Sequence, residues 1–399
     1  MALLSFETLE FKEKQDEVMV TLLKLAYFKI KKSELETIGP VITEKNVLNF
    51  PHTPQEVADK KFNQLLGKNL PHLKNILTDN PVIYLHQNSH IPLIGHVAFG
   101  LVYRNTSLIE LKPSTSCNLN CIFCSVGEGL QSKKVDFLIE KDYLLQELDK
   151  LLQFINHPIE AHIGVNGEPF LYGDLIPLIA DLNSHSQIHT VSLDTNGTLL
   201  TKNIIDQLSN YPKLRLNLSL HALNPEIAQK VAGCPYNLNK LLDIIKYSEN
   251  KVEIMLTPLL VPGKNESEME PLVKFAKENN LQISIQNFLH YKTGRNPAKP
   301  WAWPKFYDML KDLEKKYNLK LIISPETFHI EYTTPLPLPF HKDDEITAKI
   351  ILPDRFPNSR IATAKNRLIS LPNCTLPINK TVKIKLTRDK HNIFSGKVI

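Results

Sequence analysis

The sequence has few cysteines and no long apolar run. Five of its 399 residues are cysteine, three of them in one short stretch, and this pattern excludes the disulfide framework of a small secreted domain. The most apolar segment, residues 91–103, is interrupted by Pro92, Gly95, His96 and Gly100. It is also shorter than the roughly 20 residues that a membrane helix requires, so we expect no membrane span.

The beginning of the chain lacks the pattern of a secretory signal. Residues 1–17 mix acids and lysines too early to leave room for an apolar segment. The composition, with 42% hydrophobic and 22% charged residues, is typical of a globular protein without long disordered segments. We therefore expect a cytoplasmic protein of two or three domains.

Charge is small in total but unevenly distributed. The whole chain carries +5. Residues 341–399 contain twelve basic residues and five acids, so this tail carries +7 and the first 340 residues carry −2. A basic tail on a nearly neutral body predicts a polyanionic partner. The basic residues are Lys342, Lys349, Arg355, Arg360, Lys365, Arg367, Lys380, Lys383, Lys385, Arg388, Lys390 and Lys397.

The clustered cysteines are Cys117, Cys121 and Cys124. Closely spaced thiolates suit an iron–sulfur cluster, and a cubane requires a ligand for each of its four irons. Three cysteines therefore leave one iron open to a substrate. The alternative is a zinc site, which needs a fourth ligand. The candidates that follow, none of them at finger-like spacing, are His157, His162 and Cys234.

Short β-rich runs alternate with helical patterns from residue 107 onward. The predicted strands are 108–112, 161–164, 189–194, 214–220, 252–259 and 283–288, and the predicted helices are 140–154, 175–183, 201–208, 238–248, 266–278 and 303–317. Six βα units indicate an α/β fold with a parallel sheet, because parallel strands need crossover connections. The cysteines would follow the first of these strands, at the carboxyl-end mouth.

The C-x-x-x-C-x-x-C spacing, with Phe123 before the last cysteine, resembles the radical S-adenosylmethionine (SAM) superfamily. The resemblance implies a partial (β/α)6 barrel with a [4Fe-4S] cluster on the three cysteines. It also implies that the open iron binds the amino and carboxylate groups of SAM, whose cleavage gives a 5′-deoxyadenosyl radical. An electron donor such as ferredoxin or flavodoxin would reduce the cluster.

Further motifs at strand ends resemble the SAM-binding motifs of this superfamily. Residues 164–169, with Gly167, Glu168 and Pro169, are similar to its Gly-Gly-Glu motif, although Asn166 replaces the first glycine. A carboxylate and an approachable backbone suit the ammonium group of SAM. By the same resemblance, the other expected cofactor contacts are Phe123, Thr195, Asn196, Ser219, His221 and Val261. The loop 290–295 is a candidate for substrate contact.

The remaining segments predict two flanking regions. Residues 1–100 read as an accessory segment, with helical patterns near 16–32 and 54–66. The barrel would occupy residues 101–332, followed by a proline-rich connector at 333–340. Alternating runs at 346–352, 361–370 and 381–387 predict a small basic β-barrel over residues 341–399, which resembles a TRAM or OB-like RNA-binding domain.

Three functions remain open at this point. The basic tail favours a radical SAM enzyme that modifies RNA, most plausibly tRNA. A second reading is radical chemistry on a small molecule or peptide, as in cofactor maturation. A third is a zinc-stabilised nucleic-acid-binding protein without catalysis. Cys234 and Cys374 are too few to hold a second cluster.

Overall fold

The computed structural model describes residues 1–164 and 166–399 of the chain. Val165, inside the predicted glycine-rich motif, lies outside the described residues. The amino-terminal region forms two antiparallel sheets, of strand order β2-β3-β4-β7 and β1-β6-β5. Its elements are β1 (Ala2–Ser5), β2 (Leu9–Lys14), β3 (Glu17–Leu22), β4 (Ala26–Lys31), α1 (Lys32–Glu36), β5 (Ile42–Thr43), β6 (Val47–Phe50), α2 (Gln55–Asn69), β7 (Lys74–Asn75) and β8 (Val82–Leu85).

The helix expected near residues 16–32 is wrong, because this segment is the hairpin β3–β4. Val18, Val20 and Leu22 are buried on alternate positions, which is the period of a strand. Leu23 and Lys24 make the turn with positive φ angles of 51° and 60°. The helix expected at residues 54–66 is α2.

The central region contains a seven-stranded sheet of order β17-β15-β14-β13-β12-β10-β9. Six of these strands are parallel and only β9, at one edge, pairs antiparallel. The elements are β9 (Gly100–Tyr103), β10 (Leu108–Lys112), β11 (Asp136–Ile139), α3 (Lys141–Ile155), β12 (Ile159–Ile163), α4 (Leu175–Ser184), β13 (Ile188–Thr195), α5 (Lys202–Leu208), β14 (Leu214–Leu218), α6 (Pro225–Ala232), α7 (Leu238–Tyr247), β15 (Glu253–Leu256), β16 (Leu259–Leu260), α8 (Met269–Glu278), β17 (Gln282–Ile283), β18 (Gln286–Asn287) and α9 (Trp303–Tyr317).

The parallel sheet has one apolar face and one polar face. The aligned residues Ile109, Ala161, Val191 and Leu214 are buried in the main core together with the apolar sides of the helices. The next aligned row, on the opposite face, is Glu110, His162, Ser192 and Arg215. Polar side chains therefore line the interior of the open barrel.

The carboxyl-terminal strands form a closed barrel of order β19-β20-β21-β23-β22. They are β19 (Glu345–Pro353), β20 (Arg360–Ala364), β21 (Arg367–Leu371), β22 (Thr381–Arg388) and β23 (Phe394–Val398). The run expected at 361–370 is two strands, because Lys365 and Asn366 adopt positive φ and close a two-residue hairpin.

This small barrel is docked on the central region. The Leu368 amide donates a hydrogen bond to the Ile94 carbonyl over 3.0 Å, and the Phe394 amide donates to the Gly95 carbonyl over 3.1 Å. Leu368 and Ile361 belong to the main hydrophobic core. In the described residues, no helix is long and apolar enough to cross a membrane.

Candidate active site

A cavity of about 300 Å³ lies at the carboxyl ends of the parallel strands. Each of the strands β12 to β15 ends in residues that reach it, as expected when the loops after parallel strands meet at one edge. Cysteines 117, 121 and 124 share this cavity with Phe123, Gly167, Glu168, Asp194, Thr195, Asn196, Ser219, His221 and Thr257. The expected contacts Pro169 and Val261 do not line it.

The cluster loop, residues 113–129, follows β10 and rests on the end of α6. The Asn120 amide donates to the Ala232 carbonyl and the Ile122 amide to the Val231 carbonyl, both over 3.0 Å. The last carbonyls of a helix lack intrahelical partners, so α6 offers them to the loop. The sequence patterns did not predict α6.

Arg295 fixes the same loop from the other side. Its Nε donates to the Cys121 carbonyl over 2.7 Å and its Nη2 to the Glu128 carbonyl over 2.5 Å. Its amide donates to the Cys124 carbonyl over 2.9 Å. Arg295 lies in the segment expected to touch substrate, but its guanidinium is used by the cluster loop. Tyr291 of that segment does line the cavity.

The three thiols fit a cluster better than a single metal ion. Within residues 1–164 and 166–399, no three Cys, His, Asp or Glu side chains converge as ligands of one metal ion, whereas a cubane takes each thiolate on a different iron. Burial raises the pKa of Cys117 well above its usual value and that of Cys121 to about 12. Such thiols ionise only when a cation binds them.

The Cys124 sulfur has a hydrogen-bond donor in place. The Glu128 amide donates to Cys124 Sγ over 3.3 Å. Hydrogen bonds to cluster sulfurs stabilise the more negative, reduced state and so tune the potential.

The glycine-rich motif packs directly against the cluster loop. The Glu168 amide donates to the Ser116 carbonyl over 2.7 Å. Gly167 has φ of 77°, and a Cβ at this position would overlap the Ser116 carbonyl oxygen. This close approach requires glycine. Pro169 is buried in a short 3-10 turn that begins beside Glu168.

The Glu168 carboxylate joins two strand-end loops. It accepts hydrogen bonds from the Thr195 hydroxyl at 2.7 Å, the Asn196 amide at 2.8 Å and the Phe170 amide at 3.1 Å. Burial nevertheless raises the pKa of Glu168 to about 7. Oε1 accepts two of these bonds and Oε2 accepts one. One lone pair of Oε2 is therefore left, and the carboxylate can still accept from the expected ammonium group.

Asn196 links the third strand end to the cluster loop. Its Nδ2 donates to Asn118 Oδ1 over 2.9 Å, and Asn118 Nδ2 donates to the Thr198 hydroxyl over 2.9 Å. Hydrogen bonds between side chains therefore fix the position of the loop after β13 relative to the cluster loop.

His221 and Phe123 form the wall opposite these loops. Burial lowers the pKa of His221 to about 4, so its ring is neutral at pH 7. His221 Nδ1 accepts from the Leu259 amide over 3.1 Å. The Phe123 ring meets the imidazole edge-on, with centroids 4.7 Å apart. Ser219 lines the cavity, whereas Val261 is buried behind it and its amide donates to Asn265 Oδ1.

Asp194 is a cavity residue that the sequence patterns did not single out. Its carboxylate accepts from Asn217 Nδ2 over 2.9 Å and contacts His162 Nε2 at 3.2 Å, while 41% of its side chain remains accessible. Burial by itself would lower the pKa of His162, but Asp194 outweighs burial and raises it. The available signal was the position of Asp194 at a strand end.

Comparisons with known proteins identify the family. The family described as the radical SAM superfamily matches residues 111–276. An uncharacterized protein of Methanocaldococcus jannaschii is 36% identical over 361 residues, which cover 82% of this chain and 83% of that protein. The chain belongs to the radical SAM superfamily. It is a radical SAM enzyme, and its cofactors are a [4Fe-4S] cluster and SAM.

Two more distant similarities accompany this radical SAM assignment. GTP 3′,8-cyclase of Limosilactobacillus fermentum is 24% identical over 217 residues, which cover 53% of this chain and 63% of that enzyme. The crystal structure of Streptococcus suis SuiB bound to S-adenosylmethionine aligns with 14% identity and a TM-score of 0.43, over 80% of this chain and 72% of SuiB.

Proposed function

We propose that this radical SAM enzyme abstracts hydrogen from an uncharged or cationic group of a small molecule or peptide. When bound, a [4Fe-4S] cluster would supply the electron for reductive cleavage of SAM to a 5′-deoxyadenosyl radical and methionine, and a ferredoxin or flavodoxin would restore that electron. Cys117, Cys121 and Cys124 hold the cluster, and the polar strand ends orient SAM and substrate.

The observation that carries this substrate class is the charge of the cavity lining. Its acidic residues are Glu128, Glu168 and Asp194, and no lysine or arginine lines it among the described residues. Glu128 is already paired with Arg355 and Lys134, which do not line the cavity. A phosphate or other anion would still meet the carboxylates of Glu168 and Asp194 with no lysine or arginine of the described lining to compensate them. A neutral or cationic group is accepted more readily, so a nucleoside triphosphate such as the GTP of the cyclase relative fits poorly.

The test uses the full chain, purified and reconstituted without oxygen. Formation of 5′-deoxyadenosine from SAM is measured after adding dithionite and one of three cell-extract fractions: small molecules, peptides or RNA. We expect the small-molecule or peptide fraction to stimulate the reaction, and Cys121→Ala to abolish it. Stimulation by the RNA fraction alone would contradict the proposed substrate class.

RNA is the second candidate, and the basic surface of the carboxyl-terminal barrel favours it. That the barrel is a TRAM-like RNA-binding domain is part of this second proposal. Lys383 and Lys385 are paired with Glu345 at 2.8 Å and with Asp343 at 3.5 Å. The exposed basic residues that have no ion pair within the described residues include Lys349, Lys380, Arg388, Lys390 and Lys397. Such a surface can contact phosphates without regard to sequence.

The test of RNA binding keeps the barrel in place. We compare the full chain with the double variant Lys349→Gln/Lys380→Gln by filter binding across a salt series. If both lysines contact phosphates, the slope of log affinity against log salt decreases by about 1.4 for single strands. The matched control is Lys12→Gln/Lys60→Gln, at exposed positions of the amino-terminal region. An equal affinity and slope for all three chains would refute this role.

A further inference from the structure

A buried arginine of the carboxyl-terminal barrel reaches into the radical SAM core. Arg355 lies just after β19 and is only 2% exposed. Its guanidinium forms ion pairs with Glu128 and, at 3.1 Å, with Asp136. It also donates to the Thr115 hydroxyl and, over 2.6 Å, to the Val135 carbonyl. All these partners belong to the central region, and none belongs to the barrel.

Two of these partners, Thr115 and Glu128, lie at the two ends of the cluster loop. Thr115 precedes the first cysteine by two residues, and Glu128 follows the last by four. The amide of Glu128 is the donor to Cys124 Sγ. Arg355 therefore joins the beginning of the loop to its end, through a side chain that enters from another part of the chain.

The charges around Arg355 balance only while it is present. Glu128 and Asp136 are both buried, and besides Arg355 the cation beside them is Lys134, at 3.5 Å from Glu128. Removing one partner of a buried ion pair leaves an uncompensated charge, which is strongly unfavourable. Without the guanidinium, the loop would have to move until water reached the carboxylates.

We propose that Arg355 is a positioning residue that holds the cluster loop in its cluster-binding geometry and sets the potential of the cluster. The carboxyl-terminal barrel thereby becomes part of the cofactor site. This inference rests on the binding of the cluster by the three cysteines. It adds a role for the barrel that does not depend on the identity of the substrate.

Two effects are expected from Arg355→Met. The loop loses its connection between Thr115 and Glu128, so the cluster is released to a chelator about tenfold faster, as is typical when an outer-shell partner of a metal site is lost. The buried carboxylates keep a net negative charge near the cluster, so its midpoint potential becomes more negative. Arg355→Lys keeps the charge but lacks the planar fork of the guanidinium. Its rate of cluster release and its midpoint potential should lie between those of the wild type and Arg355→Met.

The experiment uses the full chain, reconstituted without oxygen. Iron and sulfide per chain, the rate of iron loss to EDTA and the potential from EPR-monitored titration are measured. The matched control is Arg388→Met, at an exposed arginine of the same barrel. Wild-type iron release and potential in Arg355→Met would overturn the proposal.

A second variant decides the matter if Arg355→Met does not fold by circular dichroism. Glu128→Gln keeps Arg355 paired with Asp136 but weakens the loop end and removes one negative charge. We expect faster iron release together with a less negative potential, opposite in sign to the arginine variant. An unchanged potential in Glu128→Gln would also overturn the proposal. A wild-type chain that takes up no iron would instead refute the cluster site itself.

Discussion

Gly167 lies where the glycine-rich motif and the cluster loop come closest. A side chain there would overlap the backbone of Ser116 and approach that of Thr115 to 2.8 Å. Backbone atoms cannot move away as a flexible side chain can. The residue therefore acts on the position of Cys117, although it is 50 residues away in the sequence.

We predict that Gly167→Ala reduces the iron bound per chain at least severalfold, because the cluster loop must shift to avoid the added methyl group. The measurement is iron and sulfide content after reconstitution. Gly263→Ala is the control, since Gly263 has a similar φ of 72° but no atom within 4 Å of its Cβ position. Both variants carry about 1 kcal/mol of backbone strain. Equal iron content in both would show that the contact is unimportant.

We predict a pH-dependent stability term from Glu168 in the protein without its cluster. Its pKa is raised from 4.5 to about 7 in the folded chain, so the folded state retains a proton that the unfolded state loses. This term is fully present below about pH 4.5 and is lost as pH rises through about 7. Its upper bound is about 3 kcal/mol, from about 1.4 kcal/mol per pKa unit.

Urea unfolding of wild type and Glu168→Gln between pH 5 and 8 measures this term. The difference in unfolding free energy between the two chains should change by roughly 1 to 3 kcal/mol over this range. The wild type loses stability as pH rises, because folding holds a proton on Glu168 that the unfolded chain releases. A difference that is independent of pH would show that the three hydrogen bonds keep Glu168 ionised throughout.

At the scale of elements, α6 shows how a helix without a strong sequence signal supports the site. Its amino-terminal end is capped by Asn224, whose side chain accepts from the amides of Glu226 and Ile227. Glu268 in turn accepts from the amides of Leu223 and Asn224 at 2.7 and 2.9 Å. The other end of the helix holds the cluster loop. Eight residues between two loops gave too short a pattern to predict it.

We predict that Asn224→Ala lowers the free energy of unfolding by about 1 kcal/mol, because two helix amides lose their acceptor. The measurement is urea unfolding of the protein without its cluster. Asn239→Ala, at an exposed position of α7, serves as the control and should be neutral. A cost equal to that of the control would mean that water replaces the cap.

At the scale of the whole molecule, buried polar and aromatic contacts join the carboxyl-terminal barrel to the central region. Besides Arg355, its Asp354 accepts from His96 Nε2 at 3.0 Å. The His96 ring stacks on Phe99 with centroids 4.6 Å apart, and Phe99 stacks on Phe137 at 4.0 Å. These contacts extend from the barrel to β11, the strand that follows the cluster loop.

We predict that a chain ending at Phe340 does not fold stably. It would expose core residues next to Ile94 and leave Glu128, Asp136 and His96 without their partners. Breaking one buried pair costs about 3 to 5 kcal/mol, and whole domains are stable by only about 5 to 15 kcal/mol. The measurements are soluble yield and thermal unfolding by circular dichroism. A cooperative transition near that of the full chain would contradict the expectation.

The features that the sequence predicted are those formed by residues close together in the chain. The spacing of Cys117, Cys121 and Cys124 places three expected ligands in one loop, and the alternation of strand and helix patterns located five of the six parallel strands. The sixth, expected over residues 283–288, is divided between β17 and β18, which belong to different sheets. Errors arose where two periods competed over a short segment, as at β3–β4. They also arose where a turn divided one expected strand run into two strands, as at Lys365 within residues 361–370.

The sequence by itself predicted the cluster ligands and determined the class of chemistry, because both are encoded within a few consecutive residues. Only the tertiary structure decided what holds the cluster loop. Arg295 and Glu128 are 167 residues apart, and Arg355 and Glu128 are 227 apart, so no local pattern could connect them. The twelve basic residues of the tail appeared equivalent in the sequence. Folding buries Arg355 among carboxylates and leaves others, such as Lys349, exposed to solvent.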